Sequence, residues 1–424
     1  MVSFSLYANI LNTPLLRFNY SIQTAVDVNP LRGISQFGPY DKSVFPKNEI
    51  STAIIYPSIF EKEIEIFTKS FINGFGIYPG FKKWFKIDIR RFDKYSIKSI
   101  TMEAYDEILK EVIKKDYDIV FIIVEETART SKLYSLIKTT LLGNGIPCQV
   151  IRSVTINTND QFQWILGNIA LSSYAKIGGT PWVIEAKESP EVVLGMSRAM
   201  DKYKKIIVGF TIIFRHNGDF ILFYSKSPVT TWEEYQKSLE RLVYDAVKEY
   251  ERKQETPTSI VFHFHKRTGK KEIESIKNAI NDLGMDIKYA LLHLNSYSSY
   301  RVFDTTDLTY VPWTGLTVRL SSRQAILVTN GRKQSSKRPY VGTPNVLEIT
   351  MDKESTMNPK EFPRLVEQVY RFSYVNWRGF NAQAIPITIN YPYLIARLVG
   401  NLEDTRNWNT IIMNGKLVDK AWFL

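Results

Sequence analysis

One cysteine, Cys148, occurs in 424 residues. No disulfide can form within the chain, and no cysteine-rich zinc site exists. Histidine is also scarce: His216, His263, His265 and His293. His263-Phe-His265 can put two rings on one strand face, but without a third ligand a structural role is expected. Long apolar runs are missing. The longest, Ile206 to Phe214, is broken by Gly209 and falls short of the ~18 residues a membrane helix needs. No basic-then-apolar secretory leader opens the chain. These absences predict a soluble, cytoplasmic protein. There is no internal repeat and no low-complexity segment. A Gly-x-Gly-x-x-Gly fingerprint and a Walker loop are both absent, so an ordinary Rossmann-type enzyme acting on a phosphorylated small molecule ranks last.

What the chain has is positive charge and apolar bulk. Lys and Arg number 55 against 43 Asp and Glu, a net charge of +12 and an isoelectric point near 9.3. A basic balance favours an anionic partner, nucleic acid or a membrane surface, without choosing between them. Hydrophobic residues make up 44% of the chain, enough for two or three domains with real cores.

The order of elements predicts an α/β fold. Ile50 to Tyr56 and Tyr117 to Val124 read as buried strands. Ile59 to Ile72, Tyr105 to Lys115 and Ser131 to Leu142 have helical spacing. Strands alternating with helices imply a parallel, Rossmann-like sheet. A second unit follows Trp182. It has a short strand at Val192 to Gly195, then strands Lys205 to Phe214 and Asp219 to Tyr224 joined through Asn217-Gly218. A capping box, Thr231 with Glu234, opens a helix. Then come the strand Ser259 to His265, the helix Lys271 to Leu283 and the strand Lys288 to Asn295. This order suggests an RNase H-like mixed sheet. Asn358-Pro359-x-Glu361 opens a further helix. Residues 1 to 28 suggest no role, and Asn29 to Asp41 reads as turn-rich. The expected division is an N-terminal segment 1–40, a Rossmann-like domain 41–180 and an RNase H-like domain 181–424.

One stretch, Tyr134 to Trp182, concentrates phosphate chemistry. Tyr134 and Lys138 are four apart and share a helix face. Gln149 follows Ile146-Pro-Cys. A helix from about Asp160 to Tyr174 carries Asn168, and Lys176 stands before Gly178-Gly179-Thr-Pro-Trp182. Two lysines, a ring and an amide can meet around one phosphate. Tyr and Lys at this spacing are, alone, more often a solvated face. Their order, however, resembles the MID domain of Argonaute proteins. The chain end, Trp422-Phe423-Leu424, resembles that family too, as does the tail: Asn376-Trp-Arg-Gly-Phe380 and Ile385 to Leu394 look like the closing strand and helix of PIWI domains. The similarity is greatest to short, MID-PIWI Argonautes of prokaryotes.

That resemblance implies that Tyr134, Lys138, Gln149, Asn168, Lys176 and Leu424 bind the 5′ phosphate of a guide strand. It also implies a Mg²⁺ shared by Gln149, the Leu424 carboxylate and the guide phosphates. Lys266, Arg319, Arg323 and Arg378 are candidate contacts to guide and target backbones; each could equally be a solvated charge. The guide is expected to be RNA, with DNA as the alternative, and the target complementary single-stranded DNA. No stretch resembles the N-terminal and PAZ regions of long Argonautes. The family therefore implies a partner with a PAZ-analogue region, an effector and a role in defence against invading DNA. A homodimer is the alternative.

Slicing members hold two Mg²⁺ on a carboxylate tetrad, because two hard divalent ions need dense negative charge. At the matching positions Ser197 follows Gly195-Met196, Thr268 sits in Arg267-Thr-Gly269, and Tyr393 ends Tyr391-Pro-Tyr. Neutral hydroxyls cannot replace carboxylates there, so the expectation is binding without cleavage. The competing reading is an active RNase H-like endonuclease in which Glu185, Asp201 or Asp219 converge instead.

Overall fold

The computed structural model describes residues 7–125, 132–156, 160–187, 189–200, 206–224, 231–253, 256–265, 267–333, 343–401 and 415–424. Four parallel strands form the first sheet, in the order Asp88–Ile97, Glu49–Pro57, Ile119–Val124, Cys148–Arg152. Ile119–Val124 is buried along its whole length, as a strand covered on both faces must be. Helices Glu61–Asn73 and Phe162–Lys176 pack on one side of the sheet, and Met102–Val112 and Lys132–Gly143 on the other. This is the Rossmann-like unit expected. Its last strand, Cys148–Arg152, is an edge.

A nine-stranded mixed sheet forms the second layer. Its order is Tyr7–Ile10, Leu316–Ser321, Gln324–Leu327, Leu347–Met351, Lys288–Asn295, Ser259–Phe264, Glu191–Met200, Ile206–Arg215, Phe220–Tyr224. Lys288–Asn295, Ser259–Phe264 and Glu191–Met200 run parallel; the other pairs are antiparallel. Side chains alternate between faces with the period of a strand. Val192, Leu194, Ile260 and Phe262 pack under helices Trp232–Lys253 and Lys270–Asp282. Val193 and Val261 face the other way, into the core shared with helices Phe362–Phe372 and Ile387–Asn401.

Three readings change. The strand expected at Val192 to Gly195 runs from Glu191 to Met200, because its hairpin partner pairs with it as far as Met200. The turn-rich segment is largely a helix, Pro30–Phe37. Asn29 caps it by accepting from the Arg32 N–H, Pro30 fills its first position, and Gly38 ends it. Pro30 and Gly38 marked helix ends, while Pro39 opens a turn, its carbonyl accepting from the Lys42 N–H at 3.2 Å. Asn376 to Phe380 holds no closing strand but turns and bends, while the Ile385 to Leu394 stretch is the closing helix expected. From Ile387 it is helical through Asn401, with the Pro386 carbonyl accepting from the Ile389 and Asn390 N–H groups. The N-terminal segment, for which the sequence suggests no role, gives Tyr7–Ile10 to the large sheet and Leu16–Arg17 to a small one. The capping box is present: Thr231 Oγ1 accepts from the Glu234 N–H at 3.2 Å.

Candidate functional site

A cavity of about 290 Å³ opens beside the edge strand Cys148–Arg152. Tyr134, Lys138, Gln149, Asn168, Lys176 and Leu424 all line it. Helix Lys132–Gly143 supplies Tyr134 and Lys138 from one face, and the Lys138 ammonium lies 5.7 Å from the centre of the Tyr134 ring. Helix Phe162–Lys176 supplies Asn168, Ser172 and Lys176 at intervals of four, a stripe down one side. Gly178, with φ +105°, lets the chain leave that helix right after Lys176.

The cations are buried. Lys176 is fully buried, and Lys138 is 4% exposed. Lys138 Nζ donates to the Cys148 carbonyl at 3.3 Å. Lys176 Nζ donates to Gln149 Oε1, which also accepts from Ser172 Oγ at 3.4 Å. Desolvated ammonium groups favour a bound anion strongly, because little water competes for their charge. The walls therefore suit a phosphate, and the Tyr134 ring a base beside it.

Distant parts of the chain close the cavity. Trp182 Nε1 donates to the Tyr374 carbonyl, and Trp377 Nε1 donates back to the Trp182 carbonyl, both at 3.1 Å. This cross-tie places the neighbouring Arg378 in the cavity wall. Arg378 thus lines the same cavity as the phosphate-binding candidates. The chain end docks on the Lys176 helix: the Ala421 N–H donates to the Ala175 carbonyl, and Trp422 is fully buried. Sequence reasoning missed Arg152, Thr155 and Ser172, which also line the wall. The four-residue interval from Asn168 through Ser172 to Lys176 was the available signal for Ser172. Nothing in the sequence marks Arg152 or Thr155.

The other backbone candidates lie elsewhere. Arg319 Nε donates to the Ser321 carbonyl, and Arg323 Nη1 to the Asp352 carbonyl. Lys266 and Asp201 lie outside the described residues.

Ser197, Thr268 and Tyr393 sit near the carboxyl ends of the parallel strands in the large sheet. Ser197 is 8% exposed. Thr268 Oγ1 is 3.4 Å from His293 Nδ1, and His293 Nε2 is 3.1 Å from Asp352 Oδ2. Tyr393 lies against His265, ring centres 5.7 Å apart. Helix Ile387–Asn401 reaches this layer because residue 195 is glycine: a Cβ there would stand 1.9 Å from the Thr388 carbonyl oxygen. His263 is the structural histidine expected. It is fully buried, Nδ1 is 2.7 Å from Thr388 Oγ1, and burial lowers its pKa to about 3. Glu185 is held by Arg17, with Nη2 donating to Oε1 at 2.8 Å. Asp219 pairs with Arg215 at 3.7 Å. Among the described residues, no three His, Cys, Asp or Glu side chains gather to hold a metal.

The profile of the Piwi domain family matches residues 118–403. The chain belongs to the Piwi family. Among its Piwi relatives is an Argonaute of Cereibacter sphaeroides, 25% identical, over 93% of this chain and 56% of the relative. A Piwi protein of Archaeoglobus fulgidus is 26% identical over 88% of each. The solved structure of Clostridium butyricum Argonaute bound to a guide DNA and a 19-mer target DNA superposes with a TM-score of 0.73 at 19% identity. It covers 94% of this Piwi chain and 53% of that one. The chain thus spans about half the length of the Argonautes it matches. The large sheet is the RNase H-like Piwi fold. No described helix is long and apolar enough to cross a membrane.

Proposed function

We propose that this chain binds a guide strand by its 5′ phosphate and uses it to recognise a complementary target without cutting it. One observation carries the reading: two buried lysines, Gln149, Asn168, Tyr134 and the last residue of the sequence line a single cavity. Base pairing would read the sequence, while the protein reads phosphates and shape. The guide is taken as RNA and the target as DNA. The Clostridium butyricum structure, with guide and target DNA, keeps a DNA guide as the alternative.

The oxygens at the site suit a hard divalent ion. Gln149 would supply an amide oxygen, once Lys176 and Ser172 turn from it to the guide phosphate, and Leu424 a chain-end carboxylate, and Mg²⁺ commonly completes its shell with substrate phosphates and water. These two residues would hold Mg²⁺, which would offset the repulsion between guide phosphate and chain-end carboxylate. Ser197, Thr268 and Tyr393 support a non-cutting sheet, since none carries negative charge at neutral pH. Target recognition would then be passed to an associated effector in defence against invading DNA, through a partner with a PAZ-analogue region.

The test is a filter-binding titration of Lys138→Ala/Lys176→Ala. A 5′-phosphorylated guide should lose about 2–4 kcal/mol, from charged hydrogen bonds of ~1.5–3 kcal/mol each with allowance for overlap. A guide ending in hydroxyl should barely change. Equal losses for both guides would sink the reading.

A further inference from the structure

A row of three rings stands apart from the cavity, at the carboxyl ends of the central strands. His265 follows the strand Ser259–Phe264, Tyr297 follows Lys288–Asn295, and Tyr393 lies on the helix Ile387–Asn401. The His265 ring centre is 6.1 Å from that of Tyr297 and 5.7 Å from that of Tyr393. His265 Nε2 is held 3.1 Å from Ser296 Oγ. Three separate elements therefore fix the row. Its outer members are open: Tyr297 is 84% exposed and Tyr393 38%.

Strand register places the row. His263 stands opposite Gly195 and Phe264 opposite Met196 in a parallel pair. His265 and Ser197 come next, on the face that helix Ile387–Asn401 covers. The row thus lies at the level of Ser197, which under the non-cutting reading stands where slicing would require a carboxylate.

A basic rim adjoins it. Arg267, Lys270 and Lys271 are exposed at the start of the helix that follows His265. Two nearby acids are engaged. Glu272 is buried, accepting from Tyr235 Oη at 2.5 Å and from the Gly269 N–H at 2.7 Å. Asp352 is bonded to His293. Open rings beside cations are what single-stranded nucleic acid needs: faces for bases and charge for phosphates.

We infer that Tyr297, His265 and Tyr393 form a stacking ledge for an unpaired nucleotide of the target strand, with Arg267, Lys270 and Lys271 drawing its phosphates. The ledge would give the uncut target a grip that base pairing does not supply. This inference rests on the guide-and-target reading above.

The experiment uses the full chain loaded with a 5′-phosphorylated guide. Target strands carry an unpaired 2-aminopurine at successive positions within and beside the guide-paired stretch. Unpaired 2-aminopurine fluoresces unless a ring stacks on it. At one or two positions the wild-type protein should quench it. Tyr297→Ala and Tyr393→Ala should each restore fluorescence and speed target release about fivefold, the low end of base–aromatic stacking. Tyr297→Phe and Tyr393→Phe, which keep the rings, should behave as wild type. Guide affinity should be unchanged in all four, because the ledge lies outside the cavity. Alanine variants that match wild type in both release rate and fluorescence overturn the ledge alone. A wild-type protein that takes no guide defeats the underlying reading instead.

Discussion

Asp41 joins two parts of the chain that are distant in sequence. Its Oδ1 accepts from Tyr174 Oη at 2.5 Å and its Oδ2 from the Thr180 N–H at 2.9 Å. It thereby fixes the loop that follows Lys176. Burial pushes its pKa up to about 6, against the pull of those two hydrogen bonds, and the charge of Asp219 adds to the rise. An unfolded Asp titrates near 3.8. Between these values the folded chain keeps a proton that the unfolded chain has lost. The contribution is therefore fully present below about pH 4 and is lost as pH rises through about 6. Asp41→Asn cannot ionise. Its amide would donate to Tyr174 Oη, reversing that hydrogen bond, while its carbonyl still accepts from the Thr180 N–H. Relative to wild type, it should be more stabilising at pH 7.5 than at pH 4.5, by about 2 kcal/mol at most. Thermal midpoints of both proteins at the two pH values measure this. A difference that does not change with pH would show that Asp41 is not held in its protonated form.

At the scale of elements, the four-stranded sheet was readable because its strands are apolar runs and its helices keep a 3.6-residue period. The cavity was readable for a related reason. Tyr134 with Lys138, and Asn168 with Lys176, are set by helical spacing within single helices. Residues such as Arg378 and Arg152 come from elsewhere: Arg378 reaches the cavity only through the Trp182–Trp377 tie, which no local pattern encodes. The helix ending in Asn401 was legible from its resemblance and not from propensity. Its Ile-Pro-Ile-Thr-Ile start is rich in β-branched residues, but the Thr388 backbone packs against Gly195 and its hydroxyl bonds His263, and burial outweighs propensity. That helix also decides the chemistry expected of the large sheet. It brings Tyr393, not an acid, to the level of Ser197, while Thr268 meets a histidine already bonded to Asp352. Guide-loaded protein should therefore leave a matched target intact with Mg²⁺ or Mn²⁺, as read on a denaturing gel. A guide-dependent cut product that disappears in Asp201→Ala would overturn this and favour the nuclease reading.

Across the whole molecule, the two sheets share one core, and the chain end is part of the seam. Trp422 and Phe423 are buried there, with the Phe423 ring 5.3 Å from that of Tyr391 on the last described helix. The aromatic pair anchors the end by apolar burial, and Leu424 then borders the cavity that Gln149 and Lys176 also line. A carboxylate at that position and an incoming phosphate repel each other. Lys138 and Lys176 offset part of this, and a divalent ion bridging the two anions would offset more. Moving the carboxylate while keeping its anchors separates these effects. A few residues added after Leu424 leave Trp422 and Phe423 in place but carry the charge out of the cavity. Affinity for a 5′-phosphorylated guide should then fall, and its dependence on Mg²⁺ should weaken. If the chain end were buried only for packing, the extended protein would bind as the original does and EDTA would change neither. Titrating both proteins with the same guide, with Mg²⁺ and with EDTA, distinguishes the two outcomes.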